Sequence, residues 1–268
     1  MASQPNLNQF AALYAQHRAA EGRGYVGADL LSLPYLRNGP HARQWEVRAR
    51  SFDHLRRHVL APQARRVGRP LAVLDLGAGN CWLSYRLALD GHRCTALDIR
   101  DDHVDGLGAG DPLVALASGR IERITASFEA VPLTGGDFDI AVFNASLHYA
   151  LDLQRALAEA YRQLRPGGQL VILDSPFYRR VADGVAMVME KQRLAAQTFG
   201  DRAEALLAPP FIEFFTADEL QLASMELGLR WRRRRVAYPL WYEMRSIQAW
   251  LGGRRAPSRF DLWVAARP

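Results

Sequence analysis

The stretch Val73-Leu-Asp-Leu-Gly-Ala-Gly-Asn-Cys-Trp-Leu-Ser84 decides the fold. Its apolar start predicts a buried parallel strand that ends at Asp75, its two glycines predict a sharp turn, and Asn80 onward predicts a helix. Such a turn lets a ligand lie against bare main chain, and we expect the amides at the helix start to face that ligand. A dinucleotide site would have a third glycine where Trp82 stands, so the pattern predicts a nucleotide pocket without the NAD fingerprint.

Composition favours one domain with additions. The chain has 268 residues, 49% of them hydrophobic, which is enough for one sizeable core. The chain has 34 basic residues, of which Lys191 is the only lysine, and 28 acidic ones. The resulting net charge of +6 bears on solubility more than on a specific function. The arginine bias has two readings, either contact with carboxylates and phosphates or the composition of the genome.

The two cysteines, Cys81 and Cys94, form no ligand-spaced pair, so we expect neither a disulfide framework nor a metal site. The N-terminus has no basic segment followed by an apolar one, and no apolar run reaches the length of a membrane span. From this we expect a cytoplasmic protein with no membrane contact.

Helical spacing dominates residues 1–69. Trp45, Phe52 and Val59 repeat on one side of a helix that we expect to begin near Pro40 and to end at Pro62. One reading is a helical cap that simply packs on a domain formed by residues 70–268.

A second short apolar strand, from Cys94 to Arg100, ends in an acid, Asp98. Asp98 lies 19 residues beyond Gly79, about the distance that one crossover helix requires, so its two carboxylate oxygens are suited to both hydroxyls of a ribose. The alternative is that Asp98 caps a helix over residues 101–116.

A buried central strand is predicted from Phe138, and Asn144 ends it at the sheet edge where ligands bind. His148 follows closely, and its imidazole could take a proton from an attacking hydroxyl or amine. The alternative is that His148 only orders the loop.

These motifs, in this order, resemble the class I S-adenosylmethionine-dependent methyltransferases of the small-molecule type. Residues 75–81 resemble motif I, Asp-x-Gly-x-Gly-x-Gly, with Cys81 in the place of the last glycine. Asp98 resembles motif II, and Ser127-Phe128 stand where the family recognises adenine with an acid and the next amide. Residues 138–149 resemble motif IV, and Arg165-Pro-Gly-Gly168 resembles the family's step into strand five.

The resemblance implies S-adenosyl-L-methionine as cofactor. It implies that the cofactor-binding residues are Asp75, Gly77, Ala78, Gly79, Asp98, Ile99, Ser127, Phe128, Asn144 and Ser146. It also implies that the N-terminal helices act as a lid and that residues 177–215 form a helical insertion around the acceptor. The substrate-binding candidates are then Tyr14, Arg18, Tyr25, Tyr149, Tyr178, Arg179 and Met187, with His148 as the catalytic base.

An arginine-rich segment, Leu229 to Val236, has two readings, an RNA-binding surface or a charged sheet edge that resists aggregation. The family topology favours the edge and therefore disfavours nucleic acid as a partner. Phe260 to Ala266 is then the last strand, antiparallel and beside the fifth.

Together, the alternation of strands and helices and the resemblance predict an α/β, doubly wound, Rossmann-like sheet of seven strands, six parallel and the last antiparallel. The expected function is methyl transfer from S-adenosylmethionine to an oxygen, nitrogen or carbon atom of a small molecule. The alternatives are an RNA-modifying methyltransferase and a non-catalytic S-adenosylmethionine-binding protein.

Overall fold

A computed structural model of the chain describes residues 7–200, 203 and 207–268. Among these residues, four helices precede the first strand: α1 (Leu7–Ala20), α2 (Gly27–Ser32), α3 (Ala42–Leu55) and α4 (Ala61–Val67), the last two joined by a π-helical turn, Arg56–Leu60. The later helices are α5 (Trp82–Leu89), α6 (Asp111–Leu116), α7 (Leu153–Gln163), α8 (Val181–Phe199), α9 (Ala217–Ala223), α10 (Leu240–Glu243) and α11 (Arg245–Leu251).

Seven strands form one sheet: β1 (Ala72–Leu76), β2 (Arg93–Asp98), β3 (Ile121–Thr125), β4 (Phe138–Asn144), β5 (Leu164–Leu173), β6 (Arg232–Arg234) and β7 (Leu262–Ala266). Their order is β3-β2-β1-β4-β5-β7-β6, and only β7 runs against the others. The order reverses between β1 and β4, where open α/β sheets bind ligands. The predicted doubly wound sheet, with its antiparallel last strand beside the fifth, is confirmed.

Both faces of the sheet are buried, because alternate side chains of each central strand point to opposite sides. One face carries Val73, Ile140 and Val171 beneath α3, α4 and α5. The other carries Leu74, Phe143 and Ile172 against α7 and α9. The helices of residues 42–67 therefore share one apolar core with the sheet.

Three local expectations were wrong. Helix α5 begins at Trp82 rather than Asn80, because Cys81 has the left-handed φ of 63° and interrupts the helix. Pro62 does not end its helix: it lies in the first turn of α4, directly after the π-helical turn of residues 56–60. The Pro-Gly-Gly step is a bulge inside β5, since the register advances two residues on β4, from 138 to 140, and five on β5, from 164 to 169.

Strand β6 forms the sheet edge, and all three of its arginines are exposed. Arg233 reaches back to the buried Asp261, which forms an ion pair with it. A charged outer strand discourages pairing with another sheet.

Candidate active site

The glycine turn after β1 is held tightly against the loop after β4. Gly77 has a φ of 76°, and a Cβ on it would lie 2.4 Å from the Cβ of Ser146. Ser146 Oγ in turn donates a hydrogen bond to the carbonyl of Leu76. Only glycine fits position 77, so this contact brings the ends of β1 and β4 together at the reversal point of the sheet.

Most amides of the turn have acceptors within the protein. Those of Gly77 and Ala78 donate to the carbonyl of Leu97, at 2.7 and 3.0 Å. The amide of Gly79 donates to Asp98, and that of Trp82 donates to the side chain of Asn80. These four amides therefore donate within the protein rather than to a ligand. The expectation that the amides at the helix start face the ligand is wrong for Trp82 and stays a prediction for the others.

Asp98 ends β2 beside this turn. Its Oδ2 accepts from the amide of Gly79 at 2.8 Å, and its Oδ1 accepts from the amide of Arg100 at 2.9 Å. Burial raises the pKa of the carboxyl, while the two amides oppose that shift. Each oxygen keeps a lone pair for a further donor. Asp98 caps no helix, because residues 101–106 form a loop rather than a helix.

Two residues of the glycine motif lie behind the wall rather than on it. Asp75 is fully buried, and its Oδ2 accepts from Ser84 Oγ of α5 at 2.8 Å. Burial raises the pKa of Asp75 to about 7. Cys81 is also fully buried, where its side chain meets Gly110. Neither lines a cavity, so an effect of either on a ligand is indirect.

A narrow cavity of about 140 Å³ lies against the carboxyl ends of β1, β2 and β4. Phe128 lines it and packs edge-to-face on Phe143, with ring centroids 5.4 Å apart. Ser127 does not line it, and its Oγ accepts from the amide of Glu129 at 3.1 Å. The side-chain Oδ1 of Asn144 is buried and has no hydrogen-bond partner among the described residues. The predicted cofactor residues on this wall are Gly77, Ala78, Gly79, Asp98, Ile99, Phe128, Asn144 and Ser146.

The N-terminal helices supply the opposite wall. Tyr14 and Arg18 of α1 and Trp45 and Arg48 of α3 line the cavity. Arg18 donates to Asp105 at 2.7 Å, which ties α1 to the loop after β2. Tyr25 lies behind the wall, where its hydroxyl accepts from Trp45 Nε1 at 2.7 Å.

A second cavity, of about 450 Å³, adjoins the first and shares residues of its wall. The shared residues are Tyr14, Arg18, Arg48, Ala145 and Tyr149. Among the predicted substrate residues, Tyr178 and Met187 also line the second cavity, whereas Arg179 is exposed and lines neither.

His148 lines the second cavity, and its Nδ1 has no partner among the described residues. Burial, with the charges of Lys191 and Arg48, lowers the pKa of His148 to about 3. The imidazole is therefore neutral at physiological pH and is a weak proton acceptor.

Sequence reasoning missed several wall residues. Asp174, Lys191, Glu213, Arg245 and Arg255 line the second cavity without a local motif. The sequence did offer one signal for Asp174, its position at the carboxyl end of a predicted strand. Asp174 directly follows β5, and Asn144 is the last residue of β4. The arginines of residues 245–255 come from helix α11 and the loop after it, which no pattern connects to the glycine turn.

The order and directions of the seven strands match the Rossmann-like fold of methyltransferases. Residues 74–172 match the sequence family described as "Methyltransferase domain". The matched residues extend from the middle of β1 almost to the end of β5.

Two curated methyltransferases align with about half of this chain, and their names give different methyl acceptors. The chain is 33% identical over 144 residues to the ubiquinone/menaquinone biosynthesis C-methyltransferase UbiE of Methylobacterium nodulans, covering 50% of this chain and 55% of that protein. It is 34% identical over 151 residues to the malonyl-[acyl-carrier protein] O-methyltransferase of Enterobacter lignolyticus, covering 54% and 53%. The chain thus spans about half the length of the curated relatives it matches.

Among solved structures, geranyl diphosphate C-methyltransferase from Streptomyces coelicolor A3(2) matches with a TM-score of 0.63 over 100% of both chains, at 12% identity. That similarity supports the fold of the whole chain, including the helices that precede the sheet. Within the described residues, no helix combines the length and the apolar character that a membrane span requires.

Proposed function

We propose that this protein transfers a methyl group from S-adenosyl-L-methionine to a small-molecule acceptor. The observation that carries the proposal is the pair of adjoining cavities, one against the glycine turn and Asp98 and the other beyond Tyr149. The geranyl diphosphate C-methyltransferase of similar fold was solved in complex with Mg2+, geranyl-S-thiolodiphosphate and S-adenosyl-L-homocysteine, which supports a site for two organic molecules in this fold. The first cavity would hold the donor and the second the acceptor.

The chemistry of the first wall fits this cofactor. Asp98 offers carboxylate lone pairs to two ribose hydroxyls, and Phe128 offers an aromatic face and a backbone amide to adenine. Gly77 and Gly79 allow close approach, and Asn144 offers an unpartnered amide oxygen near the end of β4. Ile99 and Ser146 complete this wall, while Asp75 supports it through Ser84. The role of Ser127 stays a prediction.

The bound cofactor supplies a methyl group that positive sulfur already activates. The protein's own residues then have to orient the acceptor and exclude water. Tyr14 and Tyr149 meet where the cavities adjoin, with their hydroxyl oxygens 2.8 Å apart. We assign Tyr14, Arg18 and Tyr149 to the passage between donor and acceptor, and Tyr178 and Met187 to the acceptor's far side.

The charges around the second cavity favour a polar acceptor with an acidic group. Five basic side chains and two carboxylates line it. Arg48 stacks on Trp45 and has no ion-pair partner among the described residues, and burial lowers the pKa of its guanidinium. An anionic group on the acceptor would relieve that unpaired charge.

Calorimetry with S-adenosylmethionine and S-adenosylhomocysteine tests the proposal. We expect saturable heat and a rise in melting temperature, because a ligand that binds only the folded state stabilises it. The absence of both at millimolar cofactor would contradict the proposal. Binding without product formation across a broad acceptor panel would instead favour the non-catalytic alternative.

One observation keeps RNA as a second candidate. Arg230, Arg232 and Arg234 line a surface cavity at the β6 edge. RNA binding through these arginines would weaken steeply with added salt. A neutral-salt series with single-stranded RNA separates the cases, since no binding even at low salt eliminates an RNA acceptor. The cytoplasmic location stays a prediction.

A further inference from the structure

Asp174 is an acid held under unusual constraint at the end of β5. It is buried, with 6% of its surface exposed, and it lines the second cavity. Its φ of 53° is left-handed, a conformation that is unfavourable for a residue with a Cβ. Strained, buried polar residues on a cavity wall are typical of functional positions.

Only one oxygen of this carboxyl is satisfied. Ser51 Oγ, on α3, donates to Asp174 Oδ1 at 2.5 Å. Asp174 Oδ2 is buried and has no partner among the described residues. A buried oxygen without a donor is costly, so a donor on a ligand in this cavity would remove the penalty.

A chain of hydroxyls links Asp174 to the other side of the core. Ser51 Oγ lies 2.8 Å from Tyr238 Oη, and Tyr238 donates to the carbonyl of Phe260 at 2.6 Å. Ser51 Oγ also lies 3.2 Å from the carbonyl oxygen of Val47. With the contact to Asp174, these four links need four hydrogens, whereas the two hydroxyls supply two. A proton on Asp174 Oδ1 would supply a third hydrogen, and a proton on Oδ2 would leave the bond from Ser51 to Oδ1 in place.

We propose that Asp174 is the catalytic base, and that the acceptor is consequently a molecule that loses a proton when it is methylated, such as a phenol, an enol or another hydroxyl compound. This role rests on the proposed methyltransferase function and goes beyond it in naming the reacting group. An acceptor that reacts through a carboxylate anion has no proton to lose and would need no base, so Asp174 Oδ2 would then have no role in the reaction.

The acceptor oxygen forms a bond to the methyl carbon while the bond from that carbon to sulfur breaks and its electron pair stays on sulfur. The proton of the acceptor hydroxyl passes to Asp174 Oδ2, then leaves to solvent after product release. Ser51 and Tyr238 are positioning residues, because they hold the carboxyl and do not line the cavity.

The surrounding charges suit a base that works near neutral pH. Burial raises the pKa of Asp174 to about 6, and the charge of Arg48 and the hydrogen bond from Ser51 oppose that shift. Tyr238 and Tyr242 remain neutral phenols, because burial raises their pKa values. His148, with its pKa of about 3, is the weaker base of the two.

The first experiment needs no acceptor. Infrared spectra of the wild type and of Asp174→Asn are compared from about pH 4 to pH 9. We expect a carboxylic-acid C=O band that disappears with a midpoint near 6 in the wild type and is missing from the variant. If no such band distinguishes the two proteins, Asp174 does not hold a proton in this range and the proposal is overturned.

The second experiment uses 3- and 4-hydroxybenzoate with S-adenosylmethionine. Each probe carries a phenol, whose methylation requires proton removal, and a carboxylate, whose methylation does not. We expect the methyl ether as product, and a fall of about 100-fold or more in kcat for Asp174→Asn with KM and cofactor affinity within about threefold. The wild-type rate should fall below about pH 6, and this acid limb should vanish in the variant.

Asp53→Asn is the matched control. Asp53 is an exposed carboxyl on α3, two residues from Ser51, and it accepts from Tyr35 at 2.7 Å without lining either cavity. Its amide variant should keep the wild-type rate. Methyl ester as the main product, or ether formation that survives in Asp174→Asn, overturns the role of Asp174 alone. A wild type that fails to bind the cofactor overturns the proposed function and this role with it.

Discussion

The hydroxyl oxygens of Tyr14 and Tyr149 lie 2.8 Å apart across the wall that the two cavities share. Their rings meet edge-to-face at 5.8 Å, so helix α1 contacts the loop after β4 through this pair. Burial raises the pKa of Tyr14 well beyond its usual range, so the phenol stays neutral and keeps its hydrogen. The bond therefore connects the N-terminal helices to the catalytic end of the sheet at every pH of interest.

Removing one hydroxyl should loosen this connection. We expect Tyr14→Phe to lower the free energy of unfolding by about 1 kcal/mol, the net contribution of a typical hydrogen bond. The KM for the acceptor should rise more than the dissociation constant of the cofactor, because the pair stands at the passage between the sites. Steady-state kinetics and calorimetry measure the two effects. An equal change in both constants would contradict a role at the passage.

Asp98→Ala should weaken cofactor binding by more than tenfold, because it removes both ribose acceptors. It also leaves the amides of Gly79 and Arg100 without acceptors, which should cost about 1–3 kcal/mol of stability. Asp98→Asn keeps one acceptor oxygen, so it should have an intermediate affinity. Calorimetry on variants shown to be folded separates the two effects, and wild-type affinity in a folded Asp98→Ala protein would refute the ribose role.

The sheet side of the first cavity was predictable because its residues follow the ends of strands. Asp98, Phe128 and Asn144 each lie within a few residues of a buried apolar run, so the topology of a parallel sheet brings them to one edge. Asp75 was misjudged because side chains alternate along a strand. It points to the face that α5 covers, as Val73 does, and so it meets Ser84 instead of the cavity.

The second cavity could not be predicted from local patterns. Its network joins Ser51, Asp174 and Tyr238, whose separations along the chain depend on how α3 and the C-terminal segment pack. Tyr25 was misjudged for a related reason, since one aromatic layer, Trp45, stands between it and the cavity. Nothing in the sequence specifies which of these two edge-to-face rings lies nearer the cavity.

Gly77→Ala should be among the most damaging single substitutions. Its left-handed φ of 76° costs a residue with a Cβ about 1–2 kcal/mol. The new Cβ would lie 2.4 Å from Ser146 Cβ, and overpacking of this kind costs about 1–3 kcal/mol more. The double variant with Ser146→Gly should recover the second cost and not the first. Urea unfolding of Gly77→Ala, Ser146→Gly and the double variant tests this, and no recovery in the double variant would mean that Ser146 is not the obstacle.

Asp75→Asn should stabilise the protein at alkaline pH and lose that advantage in acid. Burial raises the pKa of Asp75 from 3.8 to about 7, so between these values the folded state binds more protons than the unfolded state. Stability is then lost as the pH rises through that window, by up to about 4 kcal/mol at 1.36 kcal/mol per unit. The amide of asparagine is neutral throughout and keeps an oxygen for Ser84, so the variant escapes this loss.

The two proteins should therefore be nearly equally stable at about pH 4 and should diverge up to about pH 7, with Asp75→Asn the more stable. Urea unfolding across this range measures the difference, and Asp53→Asn serves as an exposed control that should follow the wild type. A variant that loses stability at pH 8 would show that the Asp75 carboxylate is ionised and bound within the fold. Cofactor affinity should stay within about threefold of the wild type, because Asp75 reaches the cavity only through α5.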